Sequence, residues 1–193
     1  TGKTSIIKNV IKKLNDKNRK SKFSVSHTTR LPREGDIDGS DYFFVSNEIF
    51  AELYEAGNFL ETAEVHDYKY GTSKDFIDEN INQGINVFLE IDVQGFQKLR
   101  TRNIEFRSMF ILPPTIEELR KRIQKRGLDS EDVIEKRMKN ALKELGEAEE
   151  YDYLVINDVF EQAIEELLEI VINKDFKDQT HDKKLKILQD LLS

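Results

Sequence analysis

The chain has no cysteine and no tryptophan, and only three prolines and nine glycines among 193 residues. Without cysteine there is no disulfide framework and no thiolate metal centre. No run approaches the roughly 20 apolar residues of a membrane-spanning helix, so no membrane partner is expected. Basic side chains are the scarcer sign: 30 Lys and Arg against 37 Asp and Glu give a net charge of −7. That balance argues against a protein that coats nucleic acid. It leaves room for a phosphate ligand, which a few local arginines can bind inside an acidic protein. What is present is material for a core, with 38% hydrophobic residues, so a folded chain is expected rather than a disordered one. The length suits one domain, or one core carrying inserted lobes.

Periodicity places the elements. Ile6, Ile7, Val10, Ile11 and Leu14 recur at helical spacing over 4–14. A polar loop follows to residue 22, then a short strand over 23–26. Pro32, Gly35 and Gly39 mark turns over 31–41, and Tyr42–Val45 reads as strand. A helix over 47–56 with Asn47 as its cap is followed by an extended 59–65. A further helix starts at Thr72 or Ser73 and runs to Gln83. Residues 85–92 (Ile-Asn-Val-Phe-Leu-Glu-Ile-Asp) are the strongest buried-strand signal. An apolar run ending in acid is what a central parallel strand delivers to a ligand crevice. A helix over 94–101, a strand over 108–112, the breakers Pro113 and Pro114, and a helix capped by Thr115 come next. A long charged helix over 130–149, a strand over 153–157 and a helix over 158–172 follow. The tail from Asn173 is weakly amphipathic over 184–192 and can dock on the core, pair with another copy or stay free. Strand–helix alternation, turn-rich material after the second strand and a late charged helical pair predict an α/β parallel core with two inserted lobes.

The chain opens Thr1-Gly2-Lys3-Thr4, with neither an initiator Met nor a signal-peptide pattern. This is the tail of a G-x-x-x-x-G-K-[ST] phosphate loop, whose first glycine and preceding strand would lie upstream, so the natural N-terminus is expected to be missing. On these four residues alone a plain helix start with a Thr cap fits equally. Either way, a helix from Thr4 aims free N–H groups and its positive dipole end toward Gly2 and Lys3, a ready anion site. Arg30 and Arg33 flank Pro32 outside any helix. Guanidinium forks there suit a phosphate monoester, with Tyr42 as an added donor. Taken alone, two loop arginines are more often an ordinary solvated surface.

The run Thr29-Arg30-x-x-Arg33-x-x-Asp36-x-x-Gly39-x-x-Tyr42-x-Phe44-Val45 resembles the guanylate kinase signature, with every fixed position filled. The likeness continues through Phe59-Leu60-Glu61, Tyr70-Gly71-Thr72, Leu89-Glu90-Ile91-Asp92-Val93-Gln94-Gly95, Pro113-Pro114, Arg122-x-x-x-Arg126-Gly127 and Val155-Ile156-Asn157-Asp158. It covers roughly residues 1–172. The resemblance implies a P-loop kinase fold: a parallel sheet flanked by helices as core (1–22, 84–114 and 150–193), an inserted GMP-binding lobe (23–83) and a helical lid (115–149). It implies transfer of the ATP γ-phosphoryl to GMP, and to dGMP, with Mg²⁺ required, in purine nucleotide metabolism. ATP/ADP and GMP/GDP are then the partners, and the expected location is the cytoplasm. Oligomeric state is not readable.

Roles follow from the same resemblance. Gly2, Lys3 and Thr4 hold the ATP phosphates, with Thr4 on Mg²⁺. Arg30, Arg33, Tyr42 and Tyr70 grip the GMP phosphate, while Ser26, Glu61 and Thr72 read guanine. Asp92 stands near the magnesium waters and the GMP side. Arg122, Arg126 and Arg137 come in with the lid onto the phosphates, and Asn157 lines the adenine side. On an ordinary helix those arginines would instead be solvated partners of Glu117, Glu118 and Glu135. Catalysis falls to Lys3, Arg30, Asp92, Arg122, Arg126 and Arg137. Glu61 suits its role chemically: guanine presents two adjacent donors, N1–H and N2–H, that one carboxylate accepts together. Adenine offers no such pair, and a mismatch of this kind can cost on the order of 10⁴-fold in specificity. Glu90 stands where the family more often has Asp, and His27 beside Ser26 is read as a packing or surface residue. Two alternatives are a guanylate-kinase-like interaction module, which typically loses the loop lysine and lid arginines, and a kinase for another nucleoside monophosphate, against which Glu61 and Thr72 argue.

Overall fold

The computed structural model describes residues 2–65, 67–102, 104–125, 130–173 and 175–193. The chain groups into two compact units, Thr1–Val10 with Glu105–Ser193, and Ile11–Ile104. The division falls inside helix α1 (Lys3–Asp16), whose Ile6, Val10 and Leu14 are all buried at four-residue spacing while its lysines line other faces. No described helix is long and apolar enough to cross a membrane.

The 11–104 unit holds β1 (Ser21–Phe23), β2 (His27–Thr28), β3 (Phe43–Phe44), α2 (Asn47–Glu55), β4 (Phe59–Val65), β5 (Tyr68–Ser73), α3 (Lys74–Asn82), β6 (Asn86–Phe88) and α4 (Val93–Arg100). β1 and β6 form a parallel pair, Ser21 opposite Asn86 and Phe23 opposite Phe88. The other four strands make a mixed sheet in the order β3-β2-β5-β4. Its backbone is the antiparallel β4–β5 hairpin, turned at Asp67 with φ +66°. Leu60, Ile77 and Leu99 form a buried cluster over which Phe76, Val87, Leu89 and Ile91 pack, so β4, α3, α4 and the β6 segment share one core.

The other unit holds the start of α1, β7 (Met109–Leu112), α5 (Ile116–Gln124), α6 (Glu131–Leu145), a 3₁₀ turn (Ala148–Glu150), β8 (Tyr153–Ile156), α7 (Phe160–Ile172) and α8 (His181–Leu192). β7 and β8 are parallel and in register from Met109 opposite Tyr153 to Leu112 opposite Ile156. Asp152 locks their start: one carboxylate oxygen accepts the Ser108 N–H at 2.7 Å and its hydroxyl at 2.8 Å. The Arg107 guanidinium donates to the Ile170 and Asn173 carbonyls at the end of α7, where a cation meets the negative end of the helix dipole. The C-terminal tail docks: α8 packs against α6 and β8, with Leu188 and Leu191 buried. Its Lys184 is 3% exposed and bonds both Glu166 and Asp178.

Several expected boundaries move, each for a local reason. The strand over 85–92 is ordered as β6 over three residues only, because among the described residues it pairs with β1 alone and β1 is that short. β1 itself begins at Ser21, inside the expected loop, because the Asn15 side chain takes and returns hydrogen bonds with the Ser21 backbone. Ser46, not Asn47, caps α2, its hydroxyl accepting the Ile49 N–H at 3.3 Å. Thr72 lies in β5, a strand that periodicity did not reveal, and Ser73 caps α3. The 130–149 helix ends at Leu145 and continues as the 3₁₀ turn. Thr115 caps α5 as expected.

Candidate active site

The 11–104 unit gathers most of the expected acceptor residues around β2 and the β4–β5 hairpin. Thr28 is fully buried and donates its hydroxyl to the Lys69 carbonyl at 3.0 Å. The Thr29 hydroxyl in turn accepts the Lys69 N–H at 2.9 Å. These two threonines fasten the backbone just before Arg30 to β5. The Arg30 guanidinium then bonds Asp36 at 2.9 Å and the Leu31 carbonyl at 2.8 Å. It lies 5.3 Å from the Tyr42 ring and 5.5 Å from that of Phe44. Asp36 also accepts the Arg33 backbone N–H at 2.8 Å. That N–H, with Arg30 assisting and burial opposing, holds the Asp36 carboxyl below its usual range. Asp36 is thus the organiser of both arginines, a role its place in the signature did not reveal. Arg33 itself is exposed.

Tyr42 and Tyr70 meet with ring centroids 5.8 Å apart. Burial, with the Glu90 carboxylate next, pushes the Tyr42 phenol above its ordinary value. Arg30, Tyr42 and Tyr70 therefore form one contiguous group with a charge and a hydroxyl donor suited to phosphate oxygens.

Glu61 and Thr72 are direct cross-strand partners. The register shifts between Phe59 and Glu61, and Phe59, Leu60 and Glu61 are all buried in succession. A regular strand alternates faces, so this irregularity is what turns the acid inward. Glu61 is 6% exposed and Thr72 1%. The Thr72 hydroxyl donates to Glu61 Oε1. Burial pushes the Glu61 carboxyl above its ordinary value; the Thr72 bond opposes this, Asp92 adds to it and Lys98 opposes it. Asp92 caps α4, its Oδ1 accepting the Gly95 N–H at 2.9 Å. Ser26 is partly exposed, and its carbonyl accepts the Phe43 N–H at 2.9 Å. His27 packs, stacked on Phe43 at 4.9 Å and edge-on to Phe59 at 5.6 Å. Burial lowers its basicity, and its buried Nδ1 has no hydrogen-bond partner among the described residues.

The second unit carries the other expected group. Gly2 has φ +81°, a left-handed backbone that favours glycine. A side chain there would come within 3.5 Å of Asn157 Nδ2, so Gly2 and Asn157 are neighbours. Asn157 is buried, anchored by its N–H to the Leu112 carbonyl at 2.8 Å. Lys3 opens α1 with its ammonium 5.9 Å from the Phe110 ring, and Thr4 follows in the first turn. The free N–H groups of this helix start face the same end as Gly2 and Lys3. Arg122 on α5 bonds Glu118 at 2.6 Å, one turn back. Arg137 lies partly exposed on α6. Arg120, not among the expected residues, ties α5 to α6 through Glu131 and Glu135. Arg126 lies outside the described residues.

The family model described as guanylate kinase matches residues 1–174. The chain belongs to the guanylate kinase family. It is 45% identical over 190 residues to the guanylate kinase of Caldanaerobacter subterraneus subsp. tengcongensis, covering 98% of this chain and 90% of that protein. It is 43% identical over 196 residues to the guanylate kinase of Escherichia coli strain K12, covering 98% and 93%. The crystal structure of guanylate kinase from Anaplasma phagocytophilum superposes with a TM-score of 0.71 at 31% identity, covering 93% of this chain and 88% of that one. The α/β fold, the helical content and the parallel pairs are those of the family, and the chain is an enzyme of it. The two units hold its two motif groups, the guanylate kinase signature residues around Arg30 and Glu61 and the loop residues around Lys3.

Proposed function

We propose that this chain transfers the γ-phosphoryl of ATP in line to GMP, and also to dGMP, with Mg²⁺ bound to the phosphates. Membership of the family implies ATP-dependent phosphorylation of GMP. The observation that supports the acceptor most strongly is the buried Glu61–Thr72 pair. A carboxylate withdrawn from water must find donors, and guanine N1–H and N2–H supply two side by side. Thr72 already occupies one lone pair of Oε1, which fixes the carboxylate plane before any ligand arrives.

Arg30, Arg33, Tyr42 and Tyr70 hold the acceptor phosphate in this reading. Ser26 and Asp92 complete the acceptor side. None of these assignments addresses the ribose 2′-hydroxyl, which is why dGMP is included. Gly2, Lys3, Thr4 and Asn157 hold ATP. Lys3 places a positive charge where the leaving phosphates gain negative charge. Arg122, Arg126 and Arg137 add charge from the lid segment 115–149, and lid closure keeps water from the transferring group. For Arg122 that requires exchange of Glu118 for a phosphate, a step a surface pair allows because it is worth little.

Among the described residues no group of three or more His, Cys, Asp or Glu can hold a metal. Oxygen donors such as Thr4 Oγ1, with Asp92 acting through water, suit Mg²⁺, which keeps several waters and binds chiefly through substrate phosphates. The ion supplies charge neutralisation at those phosphates; positioning is left to the side chains named above. The cytoplasm is the location that goes with this activity. The test is a coupled assay of ADP release from ATP with GMP, dGMP, AMP, CMP or UMP, with and without Mg²⁺. Turnover confined to the two guanine nucleotides and dependent on Mg²⁺ is expected. Equal turnover of AMP and GMP overturns the base assignment.

A further inference from the structure

We propose that Gly95 is the positioning residue that seats the Glu61 carboxylate, so that a missing side chain on α4 takes part in the choice of guanine. The proposal rests on the reading of Glu61 as the acid that recognises the base.

Gly95 is the third residue of α4 and has no positive φ to justify it. At such a helical position alanine is ordinarily preferred by about 1 kcal/mol. What the site demands is space. A Cβ on Gly95 would lie 2.6 Å from Glu61 Oε2, 3.1 Å from its Cδ and 3.3 Å from Ile91 Cβ. The carboxylate oxygen not bonded to Thr72 therefore rests against the bare backbone of the first turn of α4. That turn is also where helix N–H groups favour negative charge.

Neither partner has an easy retreat. Glu61 is walled in, and its Oε1 is tied to Thr72. α4 is fastened to β4 at both ends of the contact: Gln94 donates to the Glu64 carbonyl at 2.9 Å, and Lys98 donates to the Thr62 carbonyl. Asp92 grips the Gly95 N–H itself, and Phe96 and Leu99 are buried on the following turn. A methyl group at residue 95 must therefore displace the carboxylate from its seat, because Glu61 Oε2 is the atom nearest to it and the backbone of Gly95 is held by Asp92.

The experiment compares the full chain with G95A, E61D and E61D/G95A in the coupled assay and in thermal melts. G95A is expected to raise KM for GMP roughly ten- to a hundredfold, the range for disturbing hydrogen bonds to a charged group, with a smaller change in kcat. The preference for GMP over AMP is expected to fall by a similar factor. A purely structural role would not move that ratio. An unchanged KM and ratio, with a Tm equal to or above that of the parent as helix propensity predicts, overturns the proposal. E61D withdraws the carboxylate by one methylene and makes room, so G95A is expected to cost less in that background; equal penalties overturn the proposal. If G95A does not accumulate folded, recovery of folding in E61D/G95A supports the contact and failure to recover overturns it. E61Q separates the two ideas. An unchanged base preference in E61Q removes the base-reading role and the proposal with it, whereas a changed preference in E61Q beside an unchanged one in G95A removes the proposal alone.

Discussion

Replacing Glu61 with Gln removes a charge and keeps the shape, and the structure makes its two effects run in opposite directions. In the free protein the carboxylate is 6% exposed. Burial holds its carboxyl above the ordinary 4.5, with the Thr72 hydroxyl only partly offsetting it. A carboxyl whose folded value is raised favours folding most when protonated, below 4.5. That advantage disappears as pH rises through the folded value, so at neutral pH the charge is a burden on the fold. Gln avoids the burden and still accepts the Thr72 hydroxyl. E61Q is therefore expected to melt at or above the parent temperature at pH 7, and the gap between the two should close in acid. Binding goes the other way. The amide offers one acceptor and one donor where guanine presents two donors, so one charge-assisted bond is lost and two N–H groups face each other. At about 1.5–3 kcal/mol for a bond to a charged group, KM for GMP should rise by about ten- to a hundredfold. Initial rates over a GMP series, beside calorimetric melts at pH 4 and 7, give both numbers. A variant that melts lower at pH 7 while keeping its KM for GMP refutes the reasoning on both counts.

K3A is expected to lower kcat by roughly 10²-fold or more, since it removes the positive charge at the start of α1 from the leaving phosphates; an unaltered kcat in single-turnover assays excludes the role. K184M leaves the Glu166 and Asp178 carboxylates without their buried cation, at a cost of about 3–5 kcal/mol in urea unfolding at pH 7. Burial pushes Asp178 up, but bonds from Lys184 and Thr180 outweigh it and its carboxyl stands below the ordinary 3.8. Its contribution is therefore present above 3.8 and is lost as pH falls through the folded value, so the K184M deficit should shrink in acid; a pH-independent deficit contradicts this. D152A strands the buried Ser108 N–H and hydroxyl at the head of β7 and should cost about 1–3 kcal/mol, with kcat kept in the surviving folded fraction; a loss under 0.5 kcal/mol counts against it.

How much of this was legible beforehand depends on distance along the chain. The helices α1–α7 were readable because an apolar stripe repeats within a dozen residues, helped at α2, α3, α4 and α5 by a capping side chain just ahead of the first turn. Membership of the family was readable for a related reason. The residues that meet phosphate and base recur at fixed short spacings, Arg30 to Arg33 to Asp36 to Tyr42 among them. Strand β5 was not readable, since Tyr68–Ser73 has little alternation of its own and becomes a strand by pairing with β4 and β2. The end of β6 was misplaced because apolar residues show burial, while the extent of a ladder belongs to its partner.

The sequence alone determined which chemical groups this protein brings to its ligands, because side-chain chemistry and local spacing are written residue by residue. Only the tertiary structure decided what each group touches. It set Asp36 between two arginines, turned Glu61 inward at an irregularity in β4, brought Gly95 against it from 34 positions away, and buried Lys184 beside Glu166 and Asp178. Such contacts arise where separate elements share a core, and no local pattern records a neighbour contributed by another part of the chain.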